Sequence, residues 1–261
     1  MSDQPMQILP VNQQALDSIE GWLSPEAQIF TQHVFAFQRE NGWNSGILEM
    51  GVFKGKYLSL LAQQVAGSGV PVVGVDAFLQ KHGVKLEEAD KQYAHGRIVE
   101  AVRSVAGADA EPNLIAGYTT EVSVEQLRSL CSAGYSFISV DAGHDSEDVE
   151  HDSGMADALL NEHGVVAFDD IYNAVCPGVA EGFVRYMTNG KANLAPFATC
   201  GNKVFACRPA MHTRYYEFSK VLARNVKEAA PVLARTLDQL VANEQNDWSP
   251  RLFGHEVIPF L

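Results

Sequence analysis

The chain has 261 residues, 46% of them hydrophobic and 20% charged, which is ordinary globular composition and enough apolar mass for one large domain with a real core. Its 19 basic and 32 acidic side chains leave a net charge of −13, so no broad basic surface exists to release counterions from a polyanion. Nucleic acid and anionic membrane are therefore excluded as expected partners, and a small molecule is favoured. No basic-then-apolar leader opens the sequence, and no uncharged apolar run reaches the ~18 residues that a bilayer span needs. Cys131, Cys176, Cys200 and Cys207 form neither a C-x-x-C pair nor a disulfide-scaffold spacing, so the reading is a cytoplasmic protein with no indication of zinc.

Apolar residues at three- and four-residue steps from Leu16 to about Arg39 predict amphipathic helices, with Pro25 starting the second. After Asn44-Ser45-Gly46 the pattern alternates. Strands are expected at Ile47 to Met50, Val70 to Val75, Asn113 to Ala116, Ser136 to Val140 and Val165 to Phe168. Helices are expected at Lys56 to Ala66, Glu87 to Val105, Val122 to Cys131, Glu147 to Leu160 and Val179 to Met187. Strands this apolar, alternating with helices, imply a doubly wound, mostly parallel α/β sheet covered on both faces. Leu194 to Thr199 and Lys203 to Cys207, joined by Gly201-Asn202, read as a closing antiparallel hairpin and bring the expected sheet to seven strands. A further helical stretch runs from His212 to Asn243, with a break at Pro231. Trp248 to Leu261 is apolar for a tail, which leaves two packings open: on its own domain, or on a second subunit of a homo-oligomer. The expected division is a helical extension over residues 1–44, a core over 45–209 and a C-terminal extension over 210–261.

In an open α/β sheet a ligand binds beyond the carboxyl ends of the strands. After the first strand comes Glu49-Met50-Gly51-Val52-Phe53-Lys54-Gly55, where two glycines permit a tight turn and close backbone approach, although Phe53 stands where a dinucleotide fingerprint has its middle glycine. After the second comes Asp76, at the position where a carboxylate accepts from ribose hydroxyls. Taken singly, the first is an ordinary strand-to-helix turn and the second a cap; together they favour an adenosine-containing cofactor. After the fourth and fifth strands come Asp141, three residues before His144, and the pair Asp169-Asp170. Three carboxylates in one crevice repel one another unless a cation neutralises them, and oxygen-only ligands point to Mg²⁺, or to Ca²⁺ or Mn²⁺. His144 is the best-placed proton acceptor, since no lysine occurs between Lys91 and Lys191, His151 falls mid-helix and His163 precedes a strand.

These residues resemble the class I S-adenosylmethionine (SAM)-dependent methyltransferases, and within them the metal-dependent sugar O-methyltransferases related to macrocin and mycinamicin methyltransferases. The resemblance runs from Ile47 to Cys207, on Glu49-x-Gly51-x-x-x-Gly55, Asp76, Asp141-x-x-His144, Asp169-Asp170, Pro177-Gly178-Val179 and Gly201-Asn202-Lys203-Val204-Phe205. It implies that Glu49, Gly51, Gly55, Asp76 and Asp141 line the SAM site, that Asp141, Asp169 and Asp170 hold Mg²⁺, and that His144 is the general base. Two positions depart from the family: Ala142, where a glycine is common, and Tyr57, where a small hydroxyl residue is common. The expected activity is methylation of a hydroxyl on a sugar or another vicinal diol. The rival expectations are a metal-dependent hydrolase or hydroxylase on the same fold, and a non-catalytic SAM-binding protein. The segment from Phe78 to Arg97, with Lys81, His82, Lys85 and Tyr93, reads as a mobile lid or as an exposed charged insertion.

Overall fold

The computed structural model describes residues 6–78, 87–229 and 248–260. The helices are α1 (Gln13–Ser18), α2 (Pro25–Glu40), α3 (Lys56–Gln64), α4 (Glu88–Ala106), α5 (Val124–Leu130), α6 (Ser146–Leu159), α7 (Pro177–Thr188) and α8 (His212–Ala229). The strands are β1 (Gly46–Met50), β2 (Val72–Asp76), β3 (Asn113–Ala116), β4 (Tyr135–Val140), β5 (Leu160–Phe168), β6 (Ala195–Cys200), β7 (Lys203–Cys207), β8 (Arg251–Leu252), β9 (His255–Glu256) and β10 (Ile258–Phe260). Residues 81, 82 and 85 of the expected lid, the expected break at residue 231 and the end of the last helical stretch lie outside the described residues.

The main sheet has the order β10-β6-β7-β5-β4-β1-β2-β3, and within it only β7 runs antiparallel to its neighbours. The expected seven strands are thus corrected to eight. The eighth is β10, which pairs in parallel with β6 and buries Ile258 and Phe260. Phe260 meets Phe30 of α2 with ring centroids 4.6 Å apart, so the tail packs on its own core. The short run Ile258-Pro259-Phe260 gave no strand signal because its proline is tolerated only at a sheet edge, and an edge is where it lies.

Alternation along the strands divides the core. Ile47, Phe137, Val165, Ala167, Phe205 and Cys207 pack against α1, α2, α3 and α8 on one face. Leu48, Met50, Ile138, Val140, Val166 and Phe168 pack against α5, α6 and α7 on the other. Strand β5 starts five residues earlier than expected, because Asn161, Glu162 and His163 read as polar loop but follow a register shift opposite Tyr135 and Phe137. The hairpin turn has Gly201 at φ 57°, the left-handed value that a type II′ hairpin needs at its first central residue.

Helix α2 is built as its start signal suggests: Pro25 sits in the first turn, and Ser24 Oγ accepts from Ala27 N at 3.2 Å. Ser24→Ala is expected to cost about 1 kcal/mol, read as a lowered urea midpoint at unchanged m-value. Among the described residues, no helix is long and apolar enough to cross a membrane.

Candidate active site

The strand order reverses between β1 and β4, and a crevice opens there at the carboxyl ends of the parallel strands. Backbone hydrogen bonds carry the ladder just past the strand ends: Asp141 N donates to Met50 O at 2.8 Å, Asp169 N to Val140 O at 3.0 Å, and Gly51 N to Val75 O at 2.8 Å. The acidic residues that the sequence singled out are thereby gathered at one edge.

The glycine turn is folded tightly onto this edge. Gly51 has φ 87°, and a Cβ built there would lie 1.9 Å from the carbonyl oxygen of Asp141, so only glycine fits. Gly55, at φ 84°, forms the N-cap of α3 and abuts Ile98 of α4. Phe53 keeps the left-handed backbone of the glycine it replaces, with φ 51°, and its half-exposed ring stacks on Trp22 at 5.8 Å. Asp76 Oδ2 accepts from Val52 N at 2.8 Å and Phe53 N at 2.7 Å, while Oδ1 accepts from Phe78 N at 2.6 Å. It therefore fixes the turn, and three of its about four acceptor positions are used, leaving one for a hydroxyl.

Glu49 is 2% exposed, and its Oε2 has no hydrogen-bond partner. Burial, then the nearby Asp141, pushes its carboxyl well above the usual carboxylate range. Asp141 is raised too, by burial and then by Asp169 and Asp170, against the pull of Lys203. The two carboxyls act on each other, and the proton is held more tightly on the Asp141 side. Burial also opposes ionisation of Asp169, but the charge and hydrogen bond of Lys203, with the Asp170 backbone N–H, together hold Asp169 below its ordinary value.

Lys203 is the residue that sequence reasoning missed. It is 4% exposed; its Nζ lies 2.5 Å from Asp169 Oδ2 and 4.6 Å from the centroid of the Tyr57 ring. Tyr57 in turn shares a 2.8 Å hydrogen bond with Thr31 of α2, which gives the departure at position 57 a structural purpose. Residues just past the strand ends reach this edge from parallel strands, whereas an antiparallel strand brings its first residue there. Phe168 pairs with Val204, which sets Lys203 beside Asp169.

Asp170 turns away from Asp169 through a left-handed backbone, φ 57°, which is the bend the sequence required between the two. Its Oδ1 accepts from Asn173 Nδ2 at 3.0 Å and Asn202 Nδ2 at 3.2 Å, and its Oδ2 stands 3.2 Å from His144 Nε2. His144 Nε2 is also 3.9 Å from Asp141 Oδ1. Helix α7 fixes this loop, because a Cβ on Gly178 would lie 2.7 Å from His144 O. The Pro177-Gly178 dipeptide thus acts through backbone packing rather than through a side chain.

Glu49, Asp141 and Asp169 all feel the one buried ammonium of Lys203, and the raised values of Glu49 and Asp141 show that it does not supply enough positive charge to ionise every carboxyl at this edge. That deficit and the unpartnered Glu49 Oε2 fit a cationic sulfonium cofactor, and the partly exposed carboxylates of Asp141 and Asp170 offer oxygen ligands to a hard divalent cation, although the three aspartates do not gather their ligand atoms within 4.8 Å of one another. A pH dependence follows. Groups with raised folded-state pKa values hold their protons longer in the native state, so Glu49 and Asp141 lower stability as pH rises above the ordinary carboxylate range. The ligand-free protein is expected to melt at a lower temperature at pH 8 than at pH 5.5. Asp169 acts in the opposite sense only below the ordinary carboxylate range, and its charge helps to raise Asp141 and Glu49, so Asp169→Asn should make the fall between pH 5.5 and 8 shallower.

Residues 48–171 match the sequence profile of the family described as "Methyltransferase domain". No curated protein sequence matches the chain. Among solved structures, the O-methyltransferase NovP superposes with a TM-score of 0.54 at 14% identity, covering 70% of this chain and 80% of its own. CalS11, a TDP-rhamnose 3′-O-methyltransferase of calicheamicin biosynthesis, gives 0.51 at 16% identity, covering 69% and 76%. The cofactor-bound Rv0187 from MTB gives 0.50 at 15% identity, covering 75% and 87%. The parallel sheet with its one reversed strand, the glycine turn after β1 and the profile match agree: the chain has the α/β fold of the O-methyltransferases it superposes on, and its residues 48–171 match a methyltransferase-domain profile.

Proposed function

We propose that the protein is a SAM-dependent O-methyltransferase that methylates a hydroxyl of a small molecule, with Mg²⁺, or Ca²⁺ or Mn²⁺, in the acidic edge of the site. The reading rests on one observation above the others: the glycine turn that would hold the cofactor touches the backbone of Asp141, which faces the His144–Asp170 pair. Methyl donor and proton acceptor are therefore adjacent. A sugar or other vicinal diol is the favoured acceptor, in keeping with the sugar named for CalS11.

Bound SAM supplies the methyl group, and a bound divalent cation lowers the pKa of a hydroxyl that it coordinates. The chain's own residues do the rest. Glu49 and the single open acceptor position of Asp76 orient the cofactor, and Gly51 and Gly55 let the backbone approach it. Asp141, Asp169 and Asp170 would hold the metal, with Asp169 already steered by Lys203. His144 takes the hydroxyl proton, and Asp141 and Asp170 stabilise the imidazolium that results. Tyr172, exposed in the loop after Asp170, offers an aromatic surface to the acceptor.

Calorimetric titration with S-adenosylhomocysteine should show one-to-one binding, and no binding would return the site to a hydrolase or hydroxylase reading. In a screen of hydroxylated acceptors, turnover should stop on chelation and return with Mg²⁺. Full turnover after chelation would remove the metal from the mechanism while leaving the methyltransferase reading intact.

A further inference from the structure

Among the described residues, three side chains from the β4–α6 and β5–α7 connections bring ligand atoms within 4.8 Å of one another: His144, Asp170 and Cys176. They share Asp170 with the three aspartates proposed for the hard metal, but the other two ligands are nitrogen and sulfur. We propose that these residues form a second, softer metal site that takes an ion of the zinc type, and that its occupation switches off the base.

The geometry suits such an ion. Nitrogen and oxygen ligands at about 2.0–2.1 Å on a tetrahedral centre stand roughly 3.3 Å apart, and His144 Nε2 to Asp170 Oδ2 is 3.2 Å. A fourth position is left for water, because His144 is exposed and Asp170 and Cys176 are partly exposed. The placement is set by the backbone. Cys176 is the N-cap of α7, its N–H bonds Asn173 O at 3.1 Å, and Gly178 holds that helix end against His144. Spacing along the sequence gave no hint of zinc because the ligands come from the loops after β4 and β5 and from the start of α7. Binding converts the Cys176 thiol to thiolate and releases its proton to solvent. A metal on His144 Nε2 occupies the nitrogen nearest the acidic edge. That inhibitory consequence rests on the proposed function, whereas the site itself does not.

Co²⁺ is the probe, added to the reduced, tag-free full chain. The expected result is a near-ultraviolet thiolate-to-cobalt charge-transfer band with intense tetrahedral visible bands at one equivalent, erased by Zn²⁺ and retained in excess Mg²⁺. In Cys176→Ser the charge-transfer band should vanish and Zn²⁺ should bind at least about tenfold more weakly by calorimetry, the lower end of what even an outer-sphere loss costs. S-adenosylhomocysteine binding should be unchanged in that variant, which separates this proposal from the methyltransferase reading. Cys131, Cys200 and Cys207 are buried and cannot substitute. No charge-transfer band in the wild type, an undiminished band in Cys176→Ser, or its displacement by Mg²⁺ would each overturn the proposal.

Discussion

Lys203→Met should destabilise the protein by about 3–5 kcal/mol, the cost of breaking a buried ion pair by deleting one partner. The size follows from what is left behind. Asp169 would keep its burial and its acidic neighbour Asp141, but lose the charge that makes its own ionisation tolerable. Met preserves the aliphatic stem over Tyr57, so the loss reports the charge rather than the packing. Urea denaturation at pH 7 measures it, and a loss under about 1 kcal/mol would show that water or a proton replaces the lysine at little cost.

The double variant Lys203→Met with Asp169→Asn sharpens this test. It removes both charges, while the amide oxygen of Asn still accepts from Asp170 N, which now bonds Asp169 Oδ1 at 2.8 Å. Most of the lost stability should return, because replacing a whole buried pair is far less costly than breaking it. Lys203 also changes the electrostatic argument for a metal. Carboxylate repulsion in the crevice demands positive charge, and part of that demand is met by a tethered ammonium. The remaining deficit lies on the Asp141–Asp170 side, where His144 stands.

Much of this site was legible because parallel strands are simple objects. Val72 to Val75 is an apolar run buried on both faces, and an acidic residue after such a run has only the crevice to enter. That logic points to Asp76, Asp141 and Asp169, and the strand-end hydrogen bonds put all three at one edge. Lys203 escaped it because β7 is reversed, so the relevant residue precedes the strand. Cys176 escaped because its nearness to His144 arises from a helix end held by Gly178, a contact between segments with no period along the chain. Phe53 is a third kind of case. The sequence showed a missing glycine, and only coordinates show that the left-handed backbone survives and that the ring is held by Trp22. Tertiary contact, not local preference, decided each of these positions.

Gly51→Ala should cost about 3 kcal/mol or more and abolish binding of S-adenosylhomocysteine, by adding backbone strain of about 1–3 kcal/mol to an overpacking cost of similar size. Here the neighbour is backbone, since the new Cβ would lie 1.9 Å from Asp141 O and 2.4 Å from its carbonyl carbon. Neither atom can yield without moving the end of β4, and with it Asp141 and His144. Gly55→Ala is the control. Its φ of 84° carries the same kind of strain, but its nearest contact is Ile98 Cγ2 at 3.1 Å, a side chain that can shift by a few tenths of an ångström. That variant should lose only about 1–2 kcal/mol and keep measurable affinity for the nucleoside. Equal losses at the two positions would mean that the turn is strained as a whole. A selective loss at Gly51 would mean that the cofactor turn and the catalytic edge are one rigid unit, joined at the Asp141 carbonyl.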